Sequence, residues 1–429
     1  MATQQTPSIT AVEAPYGLRL TDPIENAQFT LLTHSAITPE SIDPATFEPP
    51  VDTAAVITAT TLETPYQIDA LVRDGDLSIV AECTSGEGTT VEAGEYYVEL
   101  SSAKMKLYLH VEGGVVFEPS ADRVALSFPG ATELRVGIRS LHEQPAATIT
   151  TTTELDDIAT ALSYLGSALK TTSCERSFPT LRGHPPLVER GTELSVPDEL
   201  RRPETDVALE VPPSLDYVYP VASLAYYLGA SVDPGPVPRL VAGDWEYPLN
   251  VAEDFETTVE RVLKQVFLLD CVTRTEGYYE VEMRERAAVA DVVDLDFADL
   301  YDRSLAGRLE RYLDVPYESL ADAVPKWKLT ADVRPRVKHV SALPFLANEL
   351  AVVRCPTPAG ESTESVEAVT ELVDSFYRDR EDVLTRGDGT RNRRSTATGE
   401  EPTIVRPADA DSIEQAYVGP GIPVGASKM

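Results

Sequence analysis

The sequence has little cysteine, histidine, lysine or tryptophan, and each shortage removes a class of function. Its four cysteines, Cys83, Cys174, Cys271 and Cys355, stand about ninety residues apart with no CxxC. That spacing argues against a zinc site and against a disulfide framework. The five histidines, His34, His110, His142, His184 and His339, have no partners at metal-ligand spacing. No metal and no cofactor is therefore expected. No apolar run approaches the ~18 residues of a membrane span. The first fifteen residues, MATQQTPSITAVEAP, lack the basic and apolar regions of a signal peptide. The expectation is a cytoplasmic protein with no membrane partner.

Acid is what the chain has in excess. Seventy Asp and Glu oppose 36 Lys and Arg, a formal net charge of −34, and the cations comprise 28 Arg and 8 Lys. Dispersed carboxylates with scarce lysine suit a surface that must stay hydrated in concentrated salt, as in a halophile. A nucleic-acid mimic or cation binder would instead carry concentrated acidic blocks, and no block exceeds two or three residues. The same charge disfavours binding to nucleic acid.

Along the chain, residues 1–25 are polar and contain proline, and read as a flexible arm. Residues 26–152 hold short alternating segments (FTLLTH, AAVITATT, LSIVAEC, EYYVELSS, MKLYLHV, RVALSF, ELRVGIRS) separated by Gly/Asp turns. Strands at such spacing predict an antiparallel β-sandwich with one wet face. Residues 153–385 alternate helical and strand patterns and read as a mixed α/β region. Helices are expected over 154–170, 215–228, 250–270 (capped by Asn250), 296–313, 317–323 and 362–384. Strands are expected over 206–211, 237–242, 278–283, 336–342 and 350–355. Residues 386–429 read as a linker and the lead-in to a further domain. The fold class is thus multidomain α+β, and no internal repeat is visible.

The stretch Cys174–Pro186, CERSFPTLRGHPP, is the most distinctive loop. Prolines fix its backbone and it presents Arg176, Arg182 and His184. Arginine offers a fork of donors, so an anion or partner contact is one reading, and a tie to local carbonyls is the other. Tyr217, Tyr219, Tyr226 and Tyr227 follow on a helix, where such stripes commonly pack. Candidate binding residues are Arg176, Arg182, His184, Tyr217 and Tyr226; no catalytic residue is assigned. Cys271 with His339, or Cys174 with His184, would make a nucleophile–base pair only within hydrogen-bond reach. Asp291, Asp294 and Asp296 lack the glycine turn and terminal glutamate of a calcium loop. No dinucleotide fingerprint, P-loop, nucleophile elbow or HExxH occurs.

SFPTLRGHPP (177–186), YPVASLAYYLGA (219–230) and AYVGPGIPVGAS (416–427) resemble the front region of a haloarchaeal family whose members carry a C-terminal caspase-like CHAT peptidase domain. In that family the His/Cys dyad lies beyond the Gly-Ala-Ser text, so no functional residue carries over. The resemblance implies a non-catalytic regulatory or protein-interaction region serving a CHAT domain in cis or trans. The alternative from the residues is a hydrolase with a non-standard site around Arg182 and His184. A ligand-binding sandwich, for a glycan for example, is a third.

Overall fold

The computed structural model describes residues 6–75, 77–84, 88–101, 104–250, 254–277, 283–327 and 329–356, with the backbone of 403–405. The chain is mixed α+β and divides into two compact units. One comprises Met1–Ala146, Cys174–Gly183 and Thr273–Glu282, the other Ala147–Ser173, His184–Val272 and Met283–Met429. The expected strand 278–283, helix 362–384 and most of 386–429 lie outside the described residues.

The first unit is built on one ten-stranded antiparallel sheet. Its strands are β1 (Ser8–Glu13), β2 (Tyr16–Asp22), β3 (Ala27–Leu32), β4 (Glu40–Ile42), β5 (Thr53–Glu63), β6 (Ala70–Arg73), β7 (Ile79–Cys83), β8 (Thr89–Leu100), β9 (Lys106–Pro119) and β10 (Val124–Arg139). Their order is β1-β2-β3-β5-β10-β9-β8-β6-β7, with β4 beside β5. Residues 8–22, expected as an arm, are instead the hairpin β1–β2. Leu18 and Leu20 alternate into the core, a pattern that the surrounding polar and proline text conceals. RVALSF and ELRVGIRS form one strand, β10, whose register shifts between Ser127 and Thr132. On the core face Val98, Leu100, Leu107, Leu109, Val111, Leu134, Val136 and Ile138 are fully or almost fully buried. Each such side chain contributes about 1.5–3 kcal/mol of burial.

The second unit contains β11 (Thr148–Thr151), β12 (Leu187–Arg190), β13 (Val207–Val211), β14 (Ser231–Pro234), β15 (Arg239–Ala242), β16 (Trp245–Pro248), β17 (Thr330–Asp332), β18 (Val352–Arg354) and β19 (Thr403–Val405). Its helices are α1 (Leu155–Ser163), α2 (Leu215–Val218), α3 (Ala222–Leu228), α4 (Phe255–Thr273), α5 (Arg284–Ala290), α6 (Phe297–Asp302), α7 (Leu305–Leu313), α8 (Tyr317–Leu320) and α9 (Leu343–Asn348). Asp254, and not Asn250, caps α4: its carboxylate accepts from the Thr257 amide and hydroxyl. The expected helix 296–313 is two helices, because Ser304 accepts from the Gly307 amide and starts α7 afresh. The expected strand 336–342 is a 3₁₀ turn over Val337–Ala342.

This unit repeats a topology that the sequence does not reveal. In one copy β13 pairs parallel with β14 through α2–α3 and antiparallel with β15; in the other β17 pairs parallel with β18 through α9 and antiparallel with β19. Both crossover helices end in the same cap. The Gly229 and Ala230 amides bond the Tyr226 and Ala225 carbonyls, and the Leu350 and Ala351 amides bond those of Ala347 and Leu346. Gly229 (φ 59°) and Leu350 (φ 50°) are the left-handed residues of these caps. The copies pack through α3 and α9, where Ser223 Oγ donates to the Ala351 carbonyl at 2.6 Å and Tyr219 OH to the Arg336 carbonyl at 2.9 Å.

Candidate functional site

Strand register in the first unit sets a polar array on the sheet face opposite the core. Arg73 lies across from Tyr97, Tyr97 from His110, and His110 from Arg135; one rung on, Glu99 lies across from Tyr108 and Tyr108 from Gly137. Lys106 lies across from Arg139. The wet face expected of EYYVELSS and MKLYLHV is therefore closed: Tyr97, Glu99, Tyr108 and His110 are all at most 6% exposed. Phe47 and Val51 cover it. They reach the sheet because residue 137 is glycine, where a Cβ would lie 2.8 Å from Val51 and 2.9 Å from Phe47.

The charges of this array meet one another. Lys106 Nζ contacts Glu99 at 2.5 Å. Arg139 hydrogen-bonds Tyr108 and also donates to the Thr180 carbonyl. Burial first, and then the Glu99 charge, push the Tyr108 hydroxyl up to about 12. At the rim, His110 Nε2 and Glu95 Oε1 are 3.0 Å apart, and the imidazole stacks on Tyr97 at 4.7 Å. Glu95 is exposed at this rim while the imidazole is enclosed.

A second polar centre lies inside the other unit. Tyr227 OH donates to Asp270 Oδ2 at 2.8 Å, and Arg308 Nε stands 3.9 Å from Asp270 Oδ1. Arg308 Nη1 and Nη2 donate to the carbonyls of Arg303 and Thr172 at 2.6 and 2.7 Å. Nearby, Gln265 Nε2 donates to the Tyr312 and Val315 carbonyls. These side chains tie α3, α4 and α7 together and are closed to solvent.

The residues singled out in the sequence are engaged in local hydrogen bonds and packing. Arg176 is wholly buried, and Arg182 Nη1 donates to the Arg176 and Ser177 carbonyls at 2.6 and 2.7 Å. His184 is 5% exposed, bonds the Pro185 carbonyl through Nδ1 and meets the Phe345 ring edge-on; burial lowers its pKa. Tyr226 is buried, whereas Tyr217 packs half-buried against Phe255 at 4.8 Å. Asp296 caps α6 by accepting from the Asp299 amide.

His34 and His110 each bond a glutamate, and His339 bonds the Arg334 carbonyl. Burial raises the Cys83 thiol, and burial together with Glu256, Asp216 and Asp332 pushes Cys355 up to about 12. A cleft at the carboxyl ends of β13 and β14, a common ligand position beside parallel strands, is apolar apart from Asp156 and Asp233. Among the described residues, no three His, Cys, Asp or Glu are placed to hold a metal ion, and no helix is long and apolar enough to cross a membrane.

The polar array carries no local sequence signal, because its members meet only after four strands pair in register. No protein-family model, no curated protein and no solved structure matches the chain.

Proposed function

We propose that this chain is a non-catalytic regulatory module that works through its protein surface. The observation that carries the reading is how the chemically capable side chains are used. Arg176, Glu99, Tyr108, Tyr227, Asp270 and Arg308 are buried, with their groups turned inward. Burial raises the thiols of Cys83 and Cys355, which disfavours the reactive thiolate. Such an interior suits a rigid scaffold that presents loops and strand edges to a partner.

The resemblance of 177–186, 219–230 and 416–427 makes that partner a caspase-like CHAT peptidase domain, in cis or trans. The acidic composition supports a setting for both in the cytoplasm of a halophilic archaeon. In this reading the ten-stranded sheet folds face to face as a sandwich, and the second unit, with its two similar halves, completes a multidomain chain.

The test is peptidase activity of a CHAT domain from the resembling family, with and without this chain, in molar KCl. A several-fold change in its rate at saturating chain is expected. No change in that rate, with peptide hydrolysis by the chain alone that disappears in His184→Ala, would overturn the reading in favour of the hydrolase.

A further inference from the structure

The edges of a sheet are where another chain can add, and proteins usually guard them with proline, charge or a covering side chain. In the second unit, β14 ends at Pro234 and its Val232 amide is occupied by Ser163 Oγ, while β16 carries the exposed Glu246 and ends at Pro248. In the first unit, the exposed positions of the edge strand β1 are Thr10, Ala11 and Glu13.

β7, at the other end of that sheet, differs. Val72 lies across from Ala81 and Arg73 across from Ile79, so Val80 is an extra residue, a bulge. Ala81 and Cys83 face the core, and period-two alternation would send Ile79 the same way. The inserted residue re-aims it, and Ile79 and Val80 are each 49% exposed side by side. No strand lies on the outer side of β7 among the described residues.

Carboxylates lie on this strand and along the turn leading into it, while Arg73 stands across from Ile79. Glu82 is exposed on β7 itself, Asp74 lies in the turn leading into it, and the Glu95 carboxylate reaches that turn at Gly75. A second copy of the chain would set these acids, and a net charge of −34, against their like. A basic partner would meet opposite charge at these acids and in the net charge of the chain.

We propose that the outer side of β7, centred on Ile79 and Val80, docks an extended segment of a partner protein in which apolar residues alternate with arginine or lysine. The apolar side chains would cover Ile79 and Val80, the partner's backbone would pair along Ala81–Cys83, and its cations would meet Glu82, Asp74 and Glu95. This rests on the reading of the chain as an interaction module and names the surface through which it acts.

The probe is the peptide acetyl-Arg-Val-Arg-Val-Arg-Val-amide, with its Glu-for-Arg counterpart as control. Binding is read by amide hydrogen exchange of the full chain and of an Ile79→Ser/Val80→Ser variant. Exchange slowed at residues 79–83 by the basic peptide alone, with affinity at least ten-fold weaker in the variant, is expected. An unchanged melting temperature would show that the variant is folded.

Slowing elsewhere, equal affinity for the variant, or no binding would overturn the assignment of β7. The peptidase assay above would still judge the interaction reading on its own. A concentration-dependent dimer that the double substitution abolishes would make the occupant a second copy, and would also overturn it.

Discussion

Tyr227 donates its hydroxyl hydrogen to the Asp270 carboxylate across 2.8 Å, with both side chains out of reach of solvent. The pair joins α3 to α4, and Arg308 of α7 brings a guanidinium to within 3.9 Å of the other carboxylate oxygen. A buried acceptor deprived of its donor costs about 1–3 kcal/mol, so Tyr227→Phe should lower the melting temperature by several degrees. Asp270→Ala should cost more, about 3–5 kcal/mol, because it leaves the Arg308 charge buried without its counter-charge. Guanidinium titration of both variants in molar KCl checks the order. Equal stabilities would mean that the pair carries little of the unit's stability.

Gly229 and Leu350 hold equivalent places in the two repeated caps and should fail for opposite reasons. At Gly229 a Cβ would lie 2.5 Å from Pro203 Cγ, on a backbone that disfavours L-residues by roughly 1–2 kcal/mol. Gly229→Ala should therefore lose at least about 2 kcal/mol. Leu350→Gly relieves backbone strain but gives up a side chain only 3% exposed, and should lose about 1 kcal/mol net. Denaturant midpoints of the two variants measure both, and a stabilised Gly229→Ala would contradict the geometry.

Periodicity made the long strands β3, β5 and β8–β10 readable, along with β13, β15 and the helix α4. Leu107, Leu109 and Val111 alternate, and Val259, Val262 and Val266 recur at helical spacing, whatever their distant partners. Expectation and structure differ where a long-range contact decides the outcome. Glu99, Tyr108 and His110 look solvated in their own strands and are buried because Phe47, Val51 and Arg139 arrive from elsewhere. The repeat was hidden because Gly229 and Leu350 meet one backbone demand with unlike residues. The loop of Arg182 and His184 was legible as a defined loop. The carbonyls it ties were not, since they depend on how the loop closes on itself.

Buried tyrosines set the alkaline limit. Tyr97, Tyr108 and Tyr219 are all raised above the usual 10, burial being the first cause in each, and Tyr108 reaches about 12. A raised folded-state pKa means that the stabilisation is complete below pH 10, where the unfolded chain also keeps its protons. It is lost as pH rises through 10 toward 12, where the unfolded chain ionises first. Stability should hold to about pH 10 and then fall steeply. Tyr108→Phe should start from lower stability at pH 8 and lose less above pH 10. Denaturant midpoints from pH 8 to 12 test this, and parallel curves for the two proteins would refute the role given to Tyr108.

Salt should matter more than any single residue. Two exposed arginines are each shared between two acids: Arg123 meets both Glu63 and Asp122, and Arg239 meets both Glu210 and Glu246. Such surface pairs are worth about 0–1 kcal/mol each, and with 70 carboxylates against 36 cations they leave a large acidic excess to repel itself. Near 1 M salt the Debye length is ~3 Å and that repulsion is confined to neighbours; at 0.1 M it is ~10 Å and extends across several side chains. The unfolded chain relieves the repulsion by expanding, so dilution favours unfolding. The melting temperature should fall continuously as KCl is lowered from about 2 M to 0.1 M, with recovery on adding salt back. Sucrose in place of KCl should not rescue it to the same degree, because sucrose strengthens burial without screening charge. A melting temperature independent of KCl would remove the argument from charge to habitat, whatever the partner proves to be.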